Sequence, residues 1–97
     1  MSIITDINKA FDHRIRLGIM SVLMVNESAS FKELKELLGT TDGNLASHTK
    51  ALEKEAYVSV HKSFIGRKPN TTYMVTPKGK NAFKKHIEAL ENLLGSG

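Results

Sequence analysis

The residues whose types and spacing could do chemistry gather in one stretch, GNLASHTKALEK, residues 43–54. On a helical wheel advancing about 100° per residue, Leu45, Thr49, Leu52 and Ala56 fall on one side and form the expected buried stripe. Asn44, Ser47, Lys50 and Lys54 fall opposite, together with Gly43 and Ala51. That second face is polar, small and basic, without the carboxylates of an ordinary solvated helix. Asparagine can bond bidentately to adenine, serine to a base edge or phosphate, and lysine to guanine or phosphate. Gly43 lets the helix N-terminus, with its free N–H groups, come near a phosphate. His48 stands at the edge of this face, where it either contacts phosphate or base or is simply a half-exposed helix residue. The plain alternative for the whole face is a short amphipathic surface helix whose polar side happens to hold no acid.

A second cationic pair, Arg67 and Lys68, precedes Pro69 in the segment IGRKPN. Read as a loop restrained by its proline, this segment holds both cations outward together; the alternative is a tip that only aids solubility. Other chemistry is not expected. The chain has no cysteine, hence no disulfide, thiol nucleophile or thiolate metal site. His13, His48, His61 and His86 lack the i, i+4 spacing of a local metal motif, so no metal or other cofactor is expected. No serine or aspartate lies in an activating context, and GTTDG lacks the spacing and the lysine of a phosphate-binding loop. An enzyme is therefore not expected. Arg14 and Arg16 could reach a phosphate, but they read first as a solvated helix start.

Ninety-seven residues, 40% of them hydrophobic, make one small domain with room for a single core. The most apolar run, Ile19 to Val25, is too short to span a bilayer, and the start does not resemble a signal peptide. A cytoplasmic protein with no membrane partner is the expectation. The net charge is only +4, but residues 43–80 carry seven basic side chains against Glu53 and Glu55, a local +5. The whole excess thus surrounds and follows the GNLASHTKALEK stretch, which points to a polyanionic partner.

The elements that must position these residues follow from period and punctuation. Residues 1–25 read as N-terminal helices, with a break at Asp12-His13. Residues 30–56 read as two helices joined by a tight turn: Ser30 and Glu33 form a capping box, Gly39 stops the first helix, and Thr41 caps the second with Asp42 in its first turn. Residues 57–76 switch to strand alternation, with Val58, Val60 and Phe64 on one side, and read as an antiparallel hairpin with a basic tip. Thr76-Pro77 opens a last helix over 77–94, whose Phe83, Ile87, Leu90 and Leu94 make a helical seam. The order predicts an α+β but mainly α architecture over residues 1–97. It is a winged helix-turn-helix with a two-stranded β wing and a C-terminal dimerisation helix. Ile4, Ile7 and Phe11 at one end, with the Phe83, Ile87, Leu90 and Leu94 seam at the other, exceed what one small core needs and are expected to hold a homodimer.

At this point the chain also resembles a family. RIRLGIMSVL, FKELKELLGTTDGNLASHTKALEKEAYV, GRKPNTTY and TPKGKNAF, in that order, are similar to the small winged-helix transcriptional regulators of the MarR/ArsR type of archaea and bacteria. The resemblance covers about Phe11 to Phe83. It implies a homodimer on a pseudo-palindromic double-stranded DNA site, the recognition helix in the major groove and the wing along the adjacent backbone or minor groove. By position it places Asn44, Ser47, His48 and Lys50 on the recognition helix, and Arg67 and Lys68 on the wing tip. The cysteine-bearing metal clusters of ArsR-type sensors have no counterpart here. Two other functions are open to such a fold: a winged helix used as a protein-interaction module, which calls for apolar or acidic residues on the recognition face, and a sequence-tolerant chromatin-like DNA binder, to which Asn44 and Ser47 are unnecessary.

Overall fold

The computed structural model describes residues 8–95. A single 3₁₀ turn, Lys9–Phe11, leads into helix α1 (Arg14–Val25); strand β1 (Ala29–Ser30) and helices α2 (Phe31–Leu38) and α3 (Asp42–Lys54) follow. Strands β2 (Val58–Ile65) and β3 (Lys68–Val75) and helix α4 (Pro77–Gly95) complete the order. The break anticipated at Asp12-His13 is present, and His13 makes it: its Nδ1 accepts the Ile15 N–H at 3.1 Å as the N-cap of α1. Ile4 and Ile7 lie outside the described residues.

Local capping chemistry draws the helix-turn-helix. Ser30 Oγ accepts from the Glu33 N–H and the Glu33 carboxylate accepts from the Ser30 N–H, both at 3.0 Å. That reciprocal pair satisfies two donors that a helix start leaves free. Gly39 then takes the left-handed conformation (φ 58°) that ends α2. Two residues on, Thr41 Oγ1 accepts the Asn44 N–H at 3.2 Å and starts α3. Leu45, Thr49 and Leu52 turn inward as the wheel predicts. Ala56 does not belong to that stripe. It is exposed, beyond the helix end, with φ 60°.

The two-stranded wing is present, and a third, short strand joins its sheet. β1 pairs antiparallel with β3 through Ala29↔Tyr73 and Ser30↔Thr72, giving three strands in the order β1-β3-β2. A two-residue strand is shorter than the alternation that would announce it, and Ser30 already serves as a helix cap. The hairpin itself runs from Val58↔Val75 to Ile65↔Lys68, so its turn is only Gly66-Arg67. Gly66 (φ 64°) occupies the first central position, where a two-residue turn of the II′ kind asks for glycine. Lys68, Pro69 and Asn70 are thus strand residues, not loop. Pro69 faces Phe64 in the pair next to the turn-closing pair, where an antiparallel ladder makes no hydrogen bonds, so its missing N–H lies on the open edge.

Phe11, Ile19, Met20, Leu23, Leu34, Leu45 and Leu52 form the fully buried centre. Phe11 meets Tyr57 at a ring separation of 5.1 Å and Phe83, edge to face, at 5.3 Å. Both Phe11 and Phe83, expected at a subunit seam, are therefore closed into the core of the single chain. The face that α4 buries is Gly79, Phe83, His86 and Ala89, rotated from the predicted seam. Ile87 packs partly on the core, Leu90 is half-buried, and Leu94 is 87% exposed. Gly79 fits where it does because a Cβ there would collide with the Tyr57 carbonyl. Among the described residues no helix is long and apolar enough to cross a membrane.

Candidate nucleic-acid interface

α3 is held from three sides. Its inward residues pack on α1 and α2, its start is capped by Thr41, and its end is pinned by α4: Lys78 Nζ donates to the Glu55 carbonyl at 3.0 Å and Thr76 Oγ1 to the Ala56 carbonyl at 2.7 Å. The same Thr76 oxygen accepts the Gly79 N–H at 2.9 Å, so the threonine expected to cap α4 also fastens α3. The outward face left by this anchoring holds Asn44, Ser47, Lys50 and Lys54, all exposed. Gly43 is open as well, and a Cβ added there would meet no atom of the protein within 4 Å. The fold does not require glycine at that position.

Asp42, the acid at the start of α3, is paired across the turn. Asp42 Oδ1 lies 2.9 Å from Lys35 Nζ of α2. Both side chains are well exposed, so the pair adds little stability, on the order of 0–1 kcal/mol; its effect is on the sign of the local field. Glu53 points aside from the acid-free face, into a groove between α3 and the wing.

That groove, about 380 Å³, is lined by Ala46, Thr49, Lys50 and Glu53 of α3 and by Val60, Lys62, Thr71 and Tyr73 of the sheet. Lys50 and Lys62 thus stand on its two walls. Lys62 is legible in the sequence as one cation of the basic stretch but not as a contact, although the alternation that sends Val58 and Val60 toward the core puts Lys62 on the same side. Arg67 lies in the hairpin turn and Lys68 opens β3, paired with Ile65; both are exposed. Pro69 does not lock the two cations into one loop, as the sequence reading had it; the hairpin register sets their positions.

His48 is placed differently from a simple contact residue. Its ring lies against that of His13, tilted by 33° with centroids 4.0 Å apart, and its Nδ1 accepts from Arg16 Nε at 3.0 Å. Arg16 Nη1 also reaches the Ala10 carbonyl at 3.4 Å. Arg16 is therefore a brace between the chain before α1 and helix α3 rather than a solvated helix start. Burial, then the neighbouring His13 and Arg16, push the His48 pKa below the ordinary histidine value. A neutral ring with an accepting Nδ1 carries its proton on Nε2, which leaves one donor. Thirty-five positions separate His13 from His48, so spacing could not reveal the pair. Among the described residues no group of three His, Cys, Asp or Glu could hold a metal ion.

A capped helix pair presenting one acid-free polar face, flanked by a basic hairpin, defines a winged helix-turn-helix of the DNA-binding class. Residues 15–94 match the winged helix DNA-binding domain family, and the chain belongs to it. An uncharacterised protein of Methanocaldococcus jannaschii is 40% identical over 79 residues, 81% of this chain and 86% of its own length. The solved transcriptional regulator homologue of Pyrococcus horikoshii superposes with a TM-score of 0.89 at 30% identity, over 99% of this chain and 97% of that one. The PadR protein of Bacillus subtilis, solved in complex with operator DNA, shares the fold at a TM-score of 0.63 and 18% identity, over 71% of this chain and 44% of its own.

Proposed function

We propose that the chain is a sequence-specific regulator of transcription that binds double-stranded DNA as a homodimer. α3 lies in the major groove, and the wing follows the flanking backbone or minor groove. The observation that carries this reading is the exposed face of α3, which holds Asn44, Ser47, Lys50 and Lys54 and no carboxylate, while Leu45, Thr49 and Leu52 fasten the helix to the core. Asn44 and Ser47 are uncharged, so general attraction to phosphate does not account for them; in this reading they touch base edges. Lys50, Lys54, Lys62, Arg67 and Lys68 supply the sequence-independent part. His48, held by Arg16 and His13, sets the angle of α3 and offers Nε2–H to a phosphate. The operator complex of the PadR protein supports a duplex as the partner of this fold.

A preferred duplex, selected from a random library, provides the test. Titrated at one fixed salt concentration, Asn44→Ala should lose about 1–3 kcal/mol on that duplex and relax the preference at one base position per half-site, with little change on random DNA. Lys54→Ala should weaken both equally. An Asn44→Ala protein that loses the same factor on both duplexes ends the base-reading assignment.

A further inference from the structure

The hairpin carries an apolar element that neither the core nor the cations explain. Paired residues of an antiparallel ladder share a face, so Val58, Val60, Tyr73 and Val75 belong to one side of the wing, and Lys62, Thr71, Phe64 and Pro69 continue that same side outward. The first four meet the core. Phe64 lies six residues past Val58, about 20 Å along the strand at the usual rise, and its side chain is 72% exposed. The alternation that builds the core therefore outlasts the core, and it ends in a phenyl ring beside a proline on the side that looks toward α3. Ile65, on the opposite side, is 68% exposed.

The surroundings state what kind of surface fits this tip. Lys62 lies two residues before Phe64 on the same face, and Arg67 and Lys68 follow it around the turn. From Ala56 to Ile87 the chain holds no Asp or Glu, against seven Lys and Arg. An apolar contact inside an acid-free, cationic stretch calls for a partner that is anionic outside and apolar within. The minor groove, with phosphates along its rims and deoxyribose and base edges inside, has that layout. At about 6 Å wide it admits side chains rather than two strands, and apolar side chains, Phe among them, enter it in architectural proteins by partly unstacking a base step.

We propose that Phe64, backed by Pro69, is an apolar wedge that the wing lays into the minor groove flanking the site read by α3, against the sugar wall and the edge of one base step. The proposal rests on the DNA-binding reading above. It gives the wing a part in affinity that salt does not screen, and a preference for flanking steps that unstack easily, such as TA.

The test titrates the selected duplex with the wild-type chain, Phe64→Ala, Phe64→Leu and Arg67→Ala over a range of salt concentrations. Phe64→Ala should bind about tenfold more weakly at every salt concentration, with an unchanged slope of log K against log salt, and Phe64→Leu should recover much of the loss. Arg67→Ala should instead lower that slope by about 0.9. A 2-aminopurine in the flanking step should brighten with the wild type and stay dark with Phe64→Ala. Because the ring is exposed, none of these substitutions endangers the fold, and a thermal melt confirms this. Unchanged affinity or unchanged fluorescence for Phe64→Ala overturns the wedge and leaves the regulator reading standing. A wild-type chain for which no duplex can be selected overturns both. Should Phe64→Ala lower self-association, or binding to phosphatidylserine vesicles, with DNA affinity intact, the tip serves a second copy or a membrane and the wedge is wrong.

Discussion

Two histidines show how burial turns a common residue into a pH-dependent joint. His86 of α4 is 2% exposed, packed between Phe11 and Phe83, and its Nδ1 accepts the backbone N–H of Asn8 at 3.1 Å. Burial lowers its pKa from the ordinary value of 6.5, with Asp12 pulling more weakly the other way. The folded protein thus keeps the ring neutral, while the unfolded chain takes up a proton near the ordinary value. Stability from this joint is complete above about pH 6.5 and is lost as pH falls from there toward the depressed folded pKa. His48 shifts in the same direction and acts in the same window. Glu33, lowered by its Ser30 hydrogen bonds, acts only further down, below 4.5. Melting temperatures taken between pH 5 and pH 8 should therefore fall toward the acid end, and His86→Gln, which keeps an acceptor without a titrating proton, should flatten part of that fall. An identical slope in the variant would remove His86 from the account. At this scale the sequence exposed what depends on local period and hid what depends on distant neighbours. Asn44, Ser47, Lys50 and Lys54 were legible as one outward face because a wheel needs only their spacing. The His13–His48 ring contact and the Arg16 brace join residues more than thirty positions apart, and no spacing rule reaches that far.

Among the elements, the joint between α3 and β2 carries a conflict between residue and conformation. The Tyr57 N–H bonds the Leu52 carbonyl at 3.0 Å and the Ala56 N–H bonds the Glu53 carbonyl at 2.9 Å, the two bonds of a Schellman end. Such an end places its C′ residue in the left-handed region, and here that residue is Ala56 rather than glycine. The left-handed conformation costs an L-residue roughly 1–2 kcal/mol, while glycine gives back part of the gain through its more flexible unfolded state. Ala56→Gly should therefore stabilise the chain by about 0.5–1 kcal/mol without altering DNA affinity, read from urea midpoints and one titration. A destabilised variant would mean that the Ala56 methyl makes a packing contribution larger than the strain. The same joint explains which elements were legible. Ser30, Gly39, Thr41 and Thr76 act on partners three or four positions away, so caps could be placed from sequence. Ala56 fitted the inward stripe of the wheel, yet the helix ends before it. In IGRKPN the proline reads as a loop signal because periodicity cannot show that an edge position tolerates it. The α4 seam was drawn through Phe83, Ile87, Leu90 and Leu94 because apolar residues look alike whether they face a core or a partner; only packing separates Phe83 from Leu94.

At the scale of the whole molecule, apolar surface left uncovered gathers at the end of α4. Phe83, His86 and Ala89 are used inside the protomer, but Leu90 is half-buried, Leu93 is 43% exposed and Leu94 is 87% exposed, so the last turns carry an apolar stripe with nothing from the described core upon it. We therefore place the two-fold contact of the proposed homodimer at the C-terminal half of α4, with Leu90, Leu93 and Leu94 meeting their copies and Ile87 at the margin. Phe11 and Phe83 contribute by holding α4 in place rather than by crossing the interface. Sedimentation at micromolar concentration should give twice the protomer mass. Leu94→Asp tests the contact cleanly, because so exposed a side chain can be charged without disturbing the fold, whereas Leu90→Asp also touches the protomer. Leu94→Asp should shift the chain to the monomer mass with an unchanged melting curve at low concentration. It should also bind a palindromic site no more tightly than a single half-site, since the coupling of the two recognition helices is gone. A wild-type chain that sediments as a monomer, or a Leu94→Asp chain that remains a dimer, places the two-fold elsewhere or removes it.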